Sequence, residues 1–342
     1  MQIPIQNIYY LLCYSWDKLS QREIVNLKGL DNLNMVNLFA RVLSSVSGTL
    51  IRNGLDRSYL TKNEEIRGVK GKIDFSSSLK KLSFYQTKSV CEFDELDYNV
   101  LQNKILKTTI RNLLRTVDVE EIYKDKLHKI YRLLDFVDEV PLSKELFRKV
   151  RINKNNQIYH LLMSICELIY MNLLVDEKDG KYRFKDFTQD DTEMGYLFEG
   201  FVRNFYKKEQ TEFKVRREDI RWYLHSEDEN ALEYLPKMQT DTTLESSQRK
   251  IIIDTKYSKN TFQINRGKKT IHSSHLYQMY AYLKNIKVKD GRILEGIILY
   301  PTVTQEVSFN YTFDDIQVKI RTVNLNRNWQ DIHIQLLSIL TE

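Results

Sequence analysis

At 342 residues the chain is longer than one typical domain, which points to two. Its 42% hydrophobic and 29% charged residues suit a folded chain with a sizeable core and exclude a disordered one. A formal net charge of +6 permits an anionic partner such as nucleic acid without demanding it.

The chain opens "MQIPIQNIYYLLCYSWDKL", without the basic region and small-residue cleavage site of a secretory signal. "NIYYLLCYSW" and "MVNLFARVLSSVSGTLIRNG" then carry apolar residues at helical spacing. Between Thr61 and Phe93 the pattern changes to short β-like runs broken by Gly68 and Gly71. Helical periodicity returns from Leu96 to Asp135, and Ile158 to Leu174 reads as a mostly buried helix. That run, "IYHLLMSICELIYMNLL", is interrupted by His160 and Glu167 and is too short to span a bilayer. Cys13, Cys91 and Cys166 are odd in number, widely spaced and form no CxxC, so they predict buried thiols in a reducing compartment. A cytoplasmic protein is expected.

The polar stretch from Val175 to Met194 is the predicted domain boundary. Beyond it the pattern predicts a helix over 193–208, a strand near 213–216 and two strands around 237–244 and 250–255. A helix over 273–283, the strands "ILEGIILYP" and "VKIRTVNL", and a closing helix from Trp329 complete the chain. The expected class is α/β, α+β taken whole: a mixed helical and β domain over 1–185 and an α/β sandwich over 186–342.

The chemistry concentrates in "MQTDTTLESSQRKIIIDTKY", residues 238–257. In a strand, residues two apart share a face, so Asp254 and Lys256 project together while Thr255 faces away. A hairpin joining the two strands brings Asp241 beside Asp254. Two carboxylates this close repel unless a cation lies between them, and Mg²⁺ suits such oxygen ligands while keeping waters for chemistry. The set suits phosphodiester hydrolysis, with the lysine orienting the nucleophile or screening developing charge. The competing reading is an ordinary strand-end ion pair, because Asp-x-Lys is common by chance. Downstream, "HLYQMYAYL" puts Gln278 and Tyr282 on one helix face, Gln278 to hold water or phosphate and Tyr282 to contact a DNA backbone. Upstream, Glu199 offers a third carboxylate for metal.

The acid, hairpin, acid-x-Lys order with a following Q-x-x-x-Y helix resembles the PD-(D/E)xK nuclease superfamily, with Thr240 where the first motif has proline. The whole chain resembles a narrower family, the McrC nuclease subunits of GTP-driven McrBC systems that restrict DNA carrying modified cytosine. The resemblance rests on "IPIQNIYYLLCYSW", "IRGVKGKIDF", "FDELDYNVLQNKILK", "GKYRFKDF", "LPKMQTDTTL", "KIIIDTKYSK" and "LYQMYAYL", which occur in that family's order. It implies catalytic roles for Asp241, Asp254 and Lys256. Glu199 and Gln278 match only the wider superfamily pattern.

The resemblance also implies that the first domain docks to a McrB-type AAA+ ring, enters its pore and stimulates GTP hydrolysis. The chain has no G-x-x-x-x-G-K-[ST]; "RGKKT" at Arg266 lacks the earlier glycine, so nucleotide belongs to the partner. Phosphate contacts are expected from Lys214, Arg216, Arg217 and Arg221, and from Arg266, Lys268 and Lys269. Lys70 and Lys72 in "GVKGKIDF" read from the residues as solvated lysines on a surface hairpin, and from the resemblance as partner contacts. Two rivals stay open: an inert interaction protein that stimulates the ring, and a stand-alone DNA-processing nuclease.

Overall fold

The computed structural model describes residues 3–17, 33–152, 156–175, 181–224, 229–258, 262–265, 268–287 and 291–341. The chain forms two compact units, Met1–Met35 with Asp186–Glu342, and Val36–Lys185. The sequence expectation put residues 1–35 with the N-terminal domain. The described residues 3–17 belong instead with the C-terminal unit, because α1 (Ile5–Ser15) is buried there by long-range contacts that no local pattern encodes.

The unit over 36–185 starts with α2 (Met35–Asn53), whose Leu38, Phe39, Val42, Leu43 and Val46 recur at helical spacing and are fully or almost fully buried. β1 (Ser58–Arg67) follows, then the two-residue β2 (Lys72–Ile73), α3 (Phe75–Lys80) and β3 (Lys88–Asp97). β3 is the centre of this small sheet, antiparallel to β1 from Ser58↔Asp97 to Arg67↔Lys88 and to β2 on its other side. Gly71 has φ +68°, and a Cβ there would collide with the Glu92 carbonyl, so β2 reaches β3 only through glycine. Asp74 caps α3 by accepting from Ser77 N–H at 3.0 Å.

The helical run expected over 96–135 divides, since β3 extends to Asp97 before α4 (Leu101–Leu114) and α5 (Glu121–Leu133). α6 (Lys144–Lys149), α7 (Ile158–Asn172) and the hairpin of β4 (Leu173–Val175) with β5 (Tyr182–Phe184) complete the unit. α4 packs on α7, and Ile105, Leu106 and Ile110 of the one and Leu161, Leu162 and Ile165 of the other are all at most 1% exposed.

The other unit is built on a mixed sheet. Its elements in chain order are α8 (Asp191–Glu209), β6 (Lys214–Arg216), β7 (Asp219–Ile220), β8 (Met238–Gln239), β9 (Thr242–Glu245) and β10 (Arg249–Thr255). β11 (Gln263–Asn265), β12 (Lys268–Thr270), α9 (Ser273–Asn285), β13 (Ile293–Thr302), β14 (Ser308–Phe313), β15 (Ile316–Asn324) and α10 (Trp329–Ser338) follow. The sheet order is β14-β15-β13-β10-β9-β6, with β10, β13 and β15 parallel and the outer strands antiparallel to their neighbours. The central strands are almost wholly buried, which explains the unbroken apolar run of β10.

Helix α9 lies close over β13, where a Cβ on Gly296 would meet Met279 and Leu283 side chains within 3.1 Å. α1 lies against α8, and a Cβ on Gly200 would fall 2.5 Å from Ser15 Oγ. Tyr10 stacks on Trp329 with ring centroids 4.5 Å apart, and Asn7 Nδ2 donates to Leu325 O and Arg327 O at 2.8 and 2.9 Å. The first helix is thereby clamped between α8 and the start of α10. β14, largely exposed, has no counterpart among the sequence expectations.

Candidate active site

The strand expected over 237–244 is two strands with a break at Asp241. Thr240 N–H donates to Glu218 O at 2.9 Å on one side, and β9 pairs with β10 on the other. A proline at 240 would lack that donor, which gives the threonine a physical reason. The β9–β10 register ends at Thr242↔Ile253, so Asp241 and Asp254 face each other at the mouth of the hairpin. Thr255 fixes Asp241, donating to its Oδ2 from the backbone at 2.8 Å and from Oγ1 at 2.7 Å.

Asp254 is fully buried, with Oδ2 at 2.8 Å from Lys256 Nζ. No well-aligned hydrogen bond from the described residues reaches either buried oxygen, so Oδ2 has that ion pair alone and Oδ1 has no partner among them. Burial pushes its pKa up to about 7, against the nearby Lys256 ammonium and with the charges of Asp241 and Glu199. The lysine donates to Gln278 Oε1 at 2.8 Å, Gln278 Nε2 to the Tyr282 hydroxyl at 2.6 Å, and Tyr282 to Gln239 O at 2.9 Å. A continuous chain of polar contacts therefore runs from the buried carboxylate across α9 to the strand before Asp241.

The remaining sequence candidates divide. Glu199 stands close enough for its charge to act on Asp254, yet its carboxylate is engaged by Arg203 at 2.8 Å and Arg217 at 3.1 Å. Among the described residues no three His, Cys, Asp or Glu side chains form a ready metal cage. Tyr282, expected to touch DNA, is 5% exposed and its hydroxyl is engaged internally, because α9 turns that face toward the sheet. Arg216 pairs with Glu245 and with Glu218 at 3.6 Å; Lys214 and Arg221 are exposed. Lys268 and Lys269 fall on β12, and Arg266 lies outside the described residues. In the other unit, Lys70 Nζ donates to Glu95 at 3.0 Å and stands 4.0 Å from the Phe93 ring centroid, while Lys72 is exposed.

Three participants escaped sequence reading. Arg203, one turn after Glu199, also donates to Asp241 O at 3.0 Å, and its i+4 spacing was a usable signal. His275, three residues before Gln278 on the same face of α9, lies 2.8 Å from the Tyr300 hydroxyl. Tyr300 enters only through the parallel pairing of β10 with β13, which no local pattern gives.

The donor set suits a hard divalent cation: a buried carboxylate oxygen without a partner, a second carboxylate opposite, and an ammonium to balance charge. Comparison with known proteins bears on what such a set is for. A family model described as McrBC 5-methylcytosine restriction system component matches residues 7–301. The chain is 32% identical over 340 residues to the type IV methyl-directed restriction enzyme EcoKMcrBC of Escherichia coli (strain K12), covering 99% of this chain and 98% of that protein. A chain of the refined half-complex from the tetradecameric assembly of Thermococcus gammatolerans McrB AAA+ hexamers with bound McrC matches with a TM-score of 0.61. That match, at 15% identity, covers 96% of this chain and 76% of that one, and is a likeness of fold.

Proposed function

Because the chain belongs to the McrBC 5-methylcytosine restriction system component family, we propose that it is the DNA-cleaving subunit of such a system. In this reading it is a Mg²⁺-dependent endonuclease licensed by a GTP-hydrolysing AAA+ partner, whose hydrolysis it stimulates. The observation that carries the nuclease half is Asp254, a fully buried carboxylate with one oxygen unpartnered, opposite Asp241 and ion-paired to Lys256.

Asp254 and Asp241 would hold the ion, Asp241 through the oxygen that Thr255 does not engage. Bound Mg²⁺ supplies Lewis-acid polarisation of a phosphodiester and a lowered pKa for water. Lys256, held by Asp254 and Gln278, presents a fixed ammonium to the attacking water and to charge developing on the phosphoryl oxygens. The Gln278–Tyr282–Gln239 relay keeps that ammonium from swinging to solvent. Exposed Lys214, Arg217 and Arg221 would meet DNA phosphates, with Arg217 leaving Glu199 as DNA arrives. Arg203 would still hold Oε1 of Glu199, so only its other oxygen could reach the metal site.

The unit over 36–185 is assigned docking to the ring and stimulation of its GTPase. Within it Lys72 is the more available partner contact, since Lys70 is tied to Glu95. The capture of Glu199 by two arginines favours one rival, a nuclease fold retained only to stimulate the ring. The deciding experiment is cleavage of cytosine-methylated plasmid by the chain with its cognate AAA+ partner, GTP and Mg²⁺, comparing wild type with Asp254→Ala. The nuclease reading expects cleavage by wild type alone and GTPase stimulation by both; equal cutting by the variant refutes it.

A further inference from the structure

β10 and β13 run parallel with Thr255 opposite Leu299, and Lys256 N–H donates to Leu299 O at 2.9 Å. Tyr300 is therefore the next residue along the strand beside the lysine. It is fully buried, with its hydroxyl near enough to Asp254 to feel that charge and 2.8 Å from His275 Nδ1. His275, Gln278 and Tyr282 follow at i, i+3 and i+7, so the imidazole, the amide and the phenol share one face of α9. Two of the three already belong to the relay that holds Lys256.

The imidazole is neutral near pH 7, held down to about 4 by burial first, then by the Lys256 charge and by His272, whose ring centroid is 4.9 Å away. A neutral imidazole carries one N–H, and its partner decides where. Among the described residues Nδ1 is the acceptor within reach of the Tyr300 hydroxyl. A buried hydroxyl donates where it can, so we assign Tyr300 O–H as the donor to Nδ1, which leaves the imidazole hydrogen on Nε2. The part-exposed ring thus carries a neutral N–H donor on the same α9 face as Gln278, which holds Lys256. Such a donor suits an anionic oxygen and adds no charge that would compete with a cation.

We propose that His275 is a catalytic residue whose Nε2–H donates to a non-bridging oxygen of the scissile phosphodiester, with Tyr300 as the positioning residue that sets its tautomer. The proposal rests on the nuclease reading above. It adds a substrate contact that the acid, acid-x-lysine pattern does not contain.

The test uses the full chain with its AAA+ partner, GTP, Mg²⁺ and cytosine-methylated plasmid, and reads single-turnover cleavage rate, DNA affinity and thermal midpoint. His275→Ala should slow cleavage by about 100-fold, the usual cost of removing one transition-state donor, with DNA affinity and midpoint unchanged. His275→Gln, whose amide reaches the Nε2 position, should recover most of that loss, a rescue that a packing role would not give. Tyr300→Phe should slow cleavage by about 10-fold, since the proton is then free to sit on either nitrogen. A wild-type rate for His275→Ala, or equal impairment of Ala and Gln, overturns the proposal. If His275→Ala does not fold, Tyr300→Phe carries the test, and an unchanged rate overturns it. Asp254→Ala in the same assay separates the two levels. If that variant is dead and His275→Ala is normal, only the histidine proposal falls; if Asp254→Ala cuts normally, the nuclease reading falls with it.

Discussion

Two carboxylates on neighbouring strands of one sheet, Asp254 and Glu295, are 0% and 3% exposed, yet their surroundings are opposite. Glu295 receives Arg249 Nε on one oxygen at 2.8 Å and Lys319 Nζ on the other at 2.7 Å. Burial alone would raise its pKa, but the two cations together hold it below the ordinary glutamate range. Asp254 has one cation, an unpartnered oxygen and two further carboxylates in its field, and titrates near 7. Burial therefore does not distinguish a structural carboxylate from a functional one. Satisfaction does: a buried charge with both oxygens answered belongs to the fold, and one left short is arranged for something that binds.

The sharpest way to break this comparison is to remove each carboxylate and ask what is lost. Asp254→Ala should reduce cleavage by about ten-thousand-fold, in line with loss of one member of a cooperating catalytic set, with no fall in the thermal midpoint of the metal-free chain. Glu295→Ala should do the reverse. It strands Arg249 and Lys319, and removing one partner of a buried ion cluster costs about 3–5 kcal/mol, readable by denaturant unfolding. If Glu295→Ala unfolds no more easily than wild type while cleavage disappears, the division of roles is wrong.

The pH dependence sharpens the contrast with a smaller effect. A carboxyl that titrates near 7 when folded and at 3.8 in its ordinary state binds more protons in the native chain, so the metal-free protein loses stability as pH rises through that window. Asp254→Asn should remove that loss, a gain in stability at pH 8 that vanishes near pH 4. Mg²⁺ titrated into wild type at pH 8 should close the gap, and calorimetry at both pH values checks it. Glu295 has the opposite sign, since its stabilisation is present above the ordinary glutamate range and fades as pH falls through its lowered folded pKa. The smallest effect is expected at an exposed lysine. Lys214→Ala on the edge strand should weaken DNA binding by about three-fold and lower the salt slope by about one, with cleavage of bound DNA unchanged.

Much of the candidate site was legible because its chemistry is local. The run Ile251–Ile253 ending in Asp254, the alternation that carries Lys256 to the same side, and the helical spacing of Gln278 and Tyr282 follow from periods of two and 3.6 residues. The β9–β10 hairpin and most helices of both units follow for the same reason. What stayed hidden depends on residues far apart in the chain. Arg217 holds Glu199, Tyr300 meets His275 and Glu295 gathers Arg249 and Lys319 only once strands are placed side by side. Tyr282 looked available for DNA because spacing gives the face of a helix but not the neighbour that covers it. The placement of α1 is the largest case, since nothing near residues 5–15 says that its seat lies at the other end of the chain.

That seat has a consequence in time. A ribosome releases α1 first, but Asn7 closes on Leu325, 318 positions later, which at ordinary rates of synthesis is an interval of roughly 15–60 s. The elements over 36–185 can fold in that interval, while Tyr10 and Tyr14 wait for Trp329. A nascent or truncated product that stops short of α10 leaves α1 without its aromatic anchor and the C-terminal unit unfinished. Reading through to α10 thus becomes a built-in condition for the unit to assemble, and aborted translation yields fragments in which that unit is incomplete.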